Sequence, residues 1–496
     1  MLQFYKRVQV LRIFFIVFCL LISYVFSKEV TLNLNQAIDL AIKNNGLNRI
    51  SKLNLDLANA LYEQALSANY PSIDAILYAN TDRRDTVFQQ RGNFTLTSEM
   101  TKTFALANTL NIPAGPARDA TQASISAIPA SSFPQGTISA DLDAIAKGRD
   151  TVRGQLEVNY PLYTGGKISA IIEQARLNKD ITKQSIIRNQ NSIIYDVKRY
   201  FYGYILTDEL SKLAKSVYKN MKFSTDLAKE FLENGSDLKI NRTDYLNAKL
   251  TTSLIQSTLT KIELNKKMLE NAIANLVGLK YSDEVKIKYQ KQQILKENRS
   301  LQELIKKAYV LNPDMNSINI ALKIKDEQIN EASSDYYPMV NLFGNVSHTY
   351  NSYEYGYLNK DDENSWSLGV AIKMSLFNGA RTKNKILEKK IDKKIVDEQK
   401  LLLEEGLAIQ LKNEFIKSST GYKQIQILKD AVATASENSK MNLKGFQYEM
   451  VDAKDLIQSQ LIEVYVRADY LKYVHDYLIS LATIDNLVGS KVDEIF

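Results

Sequence analysis

The chain of 496 residues says most things twice. With a shift of 267, Leu34, Ile38, Ala41 and Asn45 fall on Leu301, Ile305, Ala308 and Asn312. The same shift sets Ala65 on Ala332, Ser67 on Ser334 and Tyr70-Pro71 on Tyr337-Pro338. A shift of 214 sets Leu162-Tyr163-Thr164-Gly165-Gly166-Lys167 on Leu376-Phe377-Asn378-Gly379-Ala380-Arg381. A shift of 211 sets Asp244 on Asp455 and Leu276-Val277-Gly278 on Leu487-Val488-Gly489. Two copies of one design therefore make up the fold. The drop from 267 to 214 gives the first copy 53 extra residues between its Tyr-Pro and its Gly-Gly. They fall in 81–150, a stretch rich in Ala, Ser, Thr and Pro that reads as one long inserted loop.

Periodicity assigns elements to each copy. Trp366, Leu368, Val370, Ile372, Met374 and Leu376 alternate with Ser367, Gly369, Ala371, Lys373 and Ser375, the pattern of a strand with one apolar face. Strands are predicted over about 72–80, 152–164, 339–350 and 365–377. Long helices are predicted over 167–231 and 381–449, neither containing proline, and each on the order of 100 Å at about 1.5 Å per residue. Shorter helices are expected over 35–69, 244–276, 301–336 and 455–488. The domain layout is then a leader (1–27), a first repeat (28–278), an inter-repeat segment (279–300), a second repeat (301–489) and a short tail (490–496). Helices of this length bury their apolar positions only by packing side by side as a coiled-coil-like wall.

The first 27 residues have a basic start, an apolar run from Ile13 to Val25 and Ser27 as the small residue before Lys28, the pattern of an export signal. Without them 60 basic residues face 56 acidic ones, a balance of +4 that does not point to nucleic acid. The only cysteine, Cys19, lies inside that run, so disulfides and thiolate metal sites are excluded from the exported chain. Four half-apolar strands separated by helices have no second sheet to cover them. In lipid an outward apolar face is what a barrel strand requires, with tyrosines such as Tyr350, Tyr353, Tyr355 and Tyr357 at the interface. Four strands cannot close a barrel and open edges cannot stand in lipid, so several copies must share one sheet.

The duplicated Tyr-Pro and Gly-Gly pairs, the opening Leu32-Asn33-Leu34-Asn35-Gln36-Ala37-Ile38 with Asn44-Asn45, and Tyr160-Pro161-Leu162-Tyr163 before Thr164-Gly165-Gly166-Lys167 resemble the TolC family of outer-membrane channels. The resemblance covers nearly the whole exported chain. It implies a mainly α fold with a membrane β-barrel portion: a homotrimer with a twelve-stranded barrel, four strands per protomer, in the outer membrane of a Gram-negative bacterium. A long periplasmic α-helical barrel would continue it. The implied partners are a periplasmic adaptor and an inner-membrane transporter, with the barrel in outer-membrane lipid. The implied role is the passive exit duct of a tripartite efflux pump or type I secretion system. The inter-repeat segment would lie near the tunnel's equator.

The same resemblance places the periplasmic entrance at the turn after each long helix. Phe446 to Asp455 keeps the family spacing of nine, Glu449 replaces the family glycine and Gln458 replaces a family aspartate. Phe231 to Asp244 spans thirteen, with Asn234-Gly235-Ser236-Asp237 as turn chemistry. Asp455, Gln458 and Asp244 are the candidate gate. A ring of acids would attract cations; the alternative reading, compatible with it, makes Asp455 and Asp244 dipole-favoured residues of their helix starts. Candidate adaptor contacts are Asn234, Gly235, Ser236, Asp237, Glu449, Met450, Val451 and Asp452. Gly165, Gly166 and Gly379 mark strand-to-helix turns, and Trp366, Leu368, Val370, Ile372, Met374 and Leu376 the lipid-facing strand.

Other signals carry less. Gly165-Gly166-Lys167 lacks the full phosphate-loop spacing. His348 and His475 lack ligand spacing, so no metal is expected. Asp361-Asp362-Glu363-Asn364 reads as a hairpin tip, and Lys389-Lys390 with Lys393-Lys394 as a solvated helix face. No catalytic arrangement and no cofactor motif is found. Two rival functions remain open: a stand-alone diffusion pore, and a secreted coiled-coil protein or adhesin with a β-sandwich. The insertion, between two strands, is a candidate extracellular loop over the outer mouth.

Overall fold

The computed structural model describes residues 29–234, 242–290, 294–353, 355, 363–448 and 450–489. The expected export signal with Cys19, the tail, and Asp361 and Asp362 lie outside the described residues. The chain divides into two compact units, one formed by the described residues of Met1–Leu66, Lys167–Ser333 and Gly379–Phe496, the other by those of Ser67–Gly166 and Ser334–Asn378.

The first unit is helical. Its helices are α1 (Leu34–Asn44), α2 (Gly46–Leu66), α5 (Lys167–Asn234) and α6 (Arg242–Leu276) from the first repeat. From the second come α7 (Leu301–Leu311), α8 (Pro313–Ser333), α9 (Arg381–Gln447) and α10 (Ala453–Val488). The 68 and 67 residues of α5 and α9 correspond to ~100 Å each at 1.5 Å per residue.

Each shorter entry helix, read above as continuous, is two helices, and the break falls at the duplicated asparagine. Asn45 (ψ 135°) and Asn312 (ψ 126°) leave helical geometry, which costs the ladder a turn. Their side chains compensate. Asn45 donates to the Leu276 carbonyl and accepts from the Leu47 amide, and Asn312 donates to the Leu487 carbonyl and accepts from Asp314 and Met315 amides. Each break is thereby tied to the end of the returning helix of its own repeat.

Packing repeats as closely as sequence does. One core joins Ala37, Ala41, Ile193, Val197, Ile273 and Val277, the other Leu304, Ala308, Leu407, Leu411, Ile484 and Val488. These six pairs are related by the same shifts of 267, 214 and 211 read from the sequence. The repeat is thus one packing unit used twice. The inter-repeat segment adds β6 (Glu284–Ile287), which pairs in parallel with β1 (Glu29–Leu32).

The second unit holds a four-stranded antiparallel sheet in the order β2 (Ser72–Thr81), β5 (Asp150–Tyr163), β7 (Met339–Asn351), β8 (Asn364–Lys373). Strand β8 stops short of the expected 377, and Met374 and Leu376 lie beyond it. Lys373 pairs with Met339, so the next partner along β7 would be Pro338, which has no N–H to donate. The insertion also differs from the long loop expected over 81–150. It contains β3 (Thr86–Leu96) and β4 (Gly136–Lys147), paired antiparallel, with helices α3 (Ser98–Asn108) and α4 (Pro116–Ala127) between them. Polar residues interrupt the alternation in β3, which hid the strand, and the pairing stabilises it instead.

Candidate functional sites: the helix tips, the central strap and the sheet

The tip of the second repeat is a tight turn. The Tyr448 amide donates to the Lys444 carbonyl and the Met450 amide to the Gly445 carbonyl at 2.8 Å. Val451 closes over Gly445, where an added Cβ would stand 2.5 Å from its Cγ2. Any side chain at Gly445, one residue before Phe446, would have to displace Val451. Behind the turn, Phe231 and Phe446 meet edge to face at 6.0 Å, packed with Leu227, Leu443 and the fully buried Leu456. The aromatic that precedes each tip is therefore one half of a shared core.

Asp455 is the third residue of α10 and Asp244 the third of α6, both acids in a first turn where the helix dipole favours them. Asp244 and Gln458 come together in a cleft of about 540 Å³ with Asn247, Lys454, Ile457 and Tyr465; Asp455, exposed on the same helix, does not line it. Met450 is 80% exposed, Val451 half-buried and Asp452 exposed at the start of α10 without a side-chain capping bond. Asn234 is the last residue of α5, and Gly235, Ser236, Asp237 and Glu449 lie outside the described residues. Below the tip Arg467 reaches Glu463 at 2.8 Å and Ser436 at 2.9 Å, while the buried Gln460 amide has no hydrogen-bond partner among the described residues. No periodicity distinguished Gly445, Gln460 or Arg467 from an ordinary helix face.

The inter-repeat segment is strapped down at both ends. The Tyr289 hydroxyl meets Asp208 and Glu209 at 2.7 Å each, and Asp208 also binds Lys212 at 2.8 Å and Lys266. Burial alone would raise Asp208, but hydrogen bonds from Lys212, Lys266 and Tyr289 outweigh it and hold its carboxyl down at about 2. Burial pushes Tyr289 upward. Farther on, Tyr477 donates to the Leu295 carbonyl at 2.6 Å, and Arg299 joins Glu297 at 2.6 Å and Asp485 at 3.1 Å. Asp485 is also paired with Lys198 of α5. Burial, with the Asp485 charge adding to it, pushes Tyr202 to about 12.

In the sheet, directly opposed residues share a face. One face carries the rows Ile73, Val158, Gly344, Leu368 and Ala75, Leu156, Val346, Trp366, followed by Tyr160, Leu342, Val370. The opposite face carries Asp74, Glu157, Asn345, Ser367 and Ile76, Gln155, Ser347, Ser365. The apolar face is open: Trp366 is 77%, Leu368 69%, Val370 56% and Ile372 71% exposed. The outer edges of β2 and β8 have no strand partner among the described residues. Each sheet half leads into its long helix through two left-handed residues, Gly165 and Gly166 (φ 63° and 88°) and Gly379 and Ala380 (φ 64° and 65°). Among the described residues no helix is long and apolar enough to cross a membrane, and no group of acids or histidines is placed to hold a metal.

The same fold is found in solved structures of outer-membrane channels. Solved structures similar over 92% of this chain include the Campylobacter jejuni CmeC outer membrane channel, with 13% identity, 85% of its own length and a TM-score of 0.68. The open state of the Neisseria gonorrhoeae MtrE outer membrane channel matches over 92% of this chain and 89% of its own, with 14% identity and a TM-score of 0.66. The outer membrane protein VceC of Vibrio cholerae matches over 92% of this chain and 96% of its own, with 13% identity and a TM-score of 0.67. Residues 304–490, which make up nearly all of the second repeat, match the outer membrane efflux protein family. No curated protein sequence matches the chain.

Proposed function

We propose that the protein is the outer-membrane exit duct of a tripartite efflux pump or type I secretion system. The observation that carries this reading is the four-stranded sheet, apolar on one face, polar on the other and, among the described residues, open at both edges. In lipid every backbone group must be paired, so the sheet closes only with copies of itself, and three copies give a barrel of twelve strands. Trp366, Leu368, Val370 and Ile372 face lipid, and Asp74, Glu157, Asn345 and Gln155 line the lumen. The helical unit forms the periplasmic tunnel. Its mouth is framed by Asp244, Gln458 and Asp455, with acids in three-fold repetition drawing cations toward it and Lys454 moderating the effect. Asn234 to Asp237 and Glu449 to Asp452 contact a periplasmic adaptor, which couples the duct to an inner-membrane transporter. Energy enters from that transporter, and this chain conducts.

Photo-crosslinking in the native cell from Met450 and Val451 tests the reading. Capture of a periplasmic adaptor is expected, and the adaptor's transporter then separates drug efflux from protein secretion. A trimer in the outer membrane that captures nothing, together with high constitutive conductance in planar bilayers, would favour the stand-alone pore. A protein that stays soluble without detergent would favour the secreted coiled-coil or adhesin.

A further inference from the structure

We propose that the insertion is an assembly arm: the β3–β4 ribbons of the three copies pack on one another through their apolar faces and form a collar beyond the outer surface of the barrel. This rests on the trimeric duct proposed above. Strand β3 follows the edge strand β2, and β4 leads into β5, so the ribbon grows out of the seam at which a neighbouring copy must join.

Its base is locked. The Asn351 side chain, 5% exposed, accepts from the Gly148 amide at 2.7 Å and donates to Thr151 Oγ1 at 2.9 Å. The Asp82 amide donates to the Arg149 carbonyl at 2.8 Å, and the Arg149 amide to the Asp85 carboxylate at 2.7 Å. Its tip is ordered as well: Ser98 donates to the Phe133 carbonyl and Lys102 to the Ser126 carbonyl. The ribbon is a defined arm with one mainly polar side, which carries the Val87–Ile145 pair at its base, and one side that carries its phenylalanines. Gln89 opposes Asp143, and Asn93 bonds Ser139 across the strands at 2.7 Å. On the other side Phe88 opposes Ala144 and Phe94 opposes Ile138, with Phe88 54%, Phe94 58% and Ile138 51% exposed.

A two-stranded ribbon is marginal by itself in water, and an apolar side left open makes it worse. Lipid tails do not supply the cover. A bilayer core is crossed by roughly 9 to 11 tilted strand residues. Strands β2 and β5, with 10 and 14 residues, already span it, and the ribbon begins past their ends. Between Thr86 and Lys147 four bases (Arg91, Lys102, Arg118, Lys147) balance four acids (Glu99, Asp119, Asp141, Asp143), so copies do not repel. Three-fold symmetry holds the same face of the same arm at the same height in each neighbour, which is the cover the structure calls for.

The absence of cysteine after Cys19 makes the test direct. Phe88→Cys, Phe94→Cys and Ile138→Cys, each alone, are treated in intact cells with a short bis-maleimide, beside Gln89→Cys and Asn93→Cys. The expected result on denaturing gels is a covalent dimer band, holding at most two of every three chains, for the three apolar-side variants and its absence for the two polar-side ones. Assembly is scored separately on native gels. A trimer whose apolar-side cysteines stay uncrosslinked, or react with a lipid-tethered maleimide, overturns the collar and leaves the duct standing. A monomer overturns both.

Discussion

Replacing Asp208 with Asn should loosen the strap without touching either tip. Asp208 accepts hydrogen bonds from Lys212, Lys266 and Tyr289, and Lys212 and Tyr289 also reach Glu209. Hydrogen bonds to a charged group contribute about 1.5–3 kcal/mol each, yet Lys212 is largely exposed and keeps Glu209, so its share is small. Asparagine also retains one acceptor, while Lys266 loses the one ion-pair partner it has among the described residues. The net loss is about 2–3 kcal/mol for local opening, or ~30- to 150-fold at 1.4 kcal/mol per decade. Hydrogen exchange by mass spectrometry of the peptide spanning Glu284–Gln290 reads this directly, because opening of the strap exposes the β6 amides paired with β1. The expected result is faster exchange there by that factor with α9 and α10 unchanged. Tyr289→Phe should give a smaller change, since Asp208 keeps both lysines. Unchanged exchange in the strap of Asp208→Asn would refute the assignment of the cluster as its anchor.

Three further outcomes follow from the same structure. Because Asp208 is depressed from 3.8 to about 2, its contribution is complete above pH ~4 and is lost as pH falls toward 2. Exchange of the strap, corrected for intrinsic rates, should rise across that window in the native protein, by a free energy of about 1–2 kcal/mol after discount for screening, and not in Asp208→Asn. Gly445→Ala puts a methyl group against Val451 and should open the tip turn, seen as faster exchange of the Met450 amide and weaker adaptor crosslinking from Val451, with trimer assembly intact. Val370→Arg places a charge on the apolar face and should cost about 2–4 kcal/mol of insertion if it lies at the bilayer midplane, read as loss of heat-resistant trimer from the outer-membrane fraction. Ser367→Arg, on the opposite face, should insert normally.

The duplication carried most of what could be read in advance. Equal shifts in sequence became equal positions in packing, so Ile193 with Leu407 and Ile273 with Ile484 were implied once the register was found. Strand β8 was legible because its alternation is unbroken from Trp366 to Ile372. Non-local pairing was not legible: β6 lies against β1 from the opposite end of the first repeat, and β3 finds β4 across the whole insertion. The helix breaks were written in Asn45 and Asn312, but an asparagine inside an apolar pattern is ambiguous until its partner carbonyl is known. At the tips the aromatics and Asp455 were identifiable, whereas Gly445 matters only because Val451 folds back over it.

The most direct test is electron cryomicroscopy of the protein extracted from the outer-membrane fraction into nanodiscs. The account predicts three-fold particles in which the β2 edge of one copy pairs with the β8 edge of the next, closing twelve strands within the lipid belt. A monomer, or a sheet whose apolar face is covered by protein outside the belt, would contradict it.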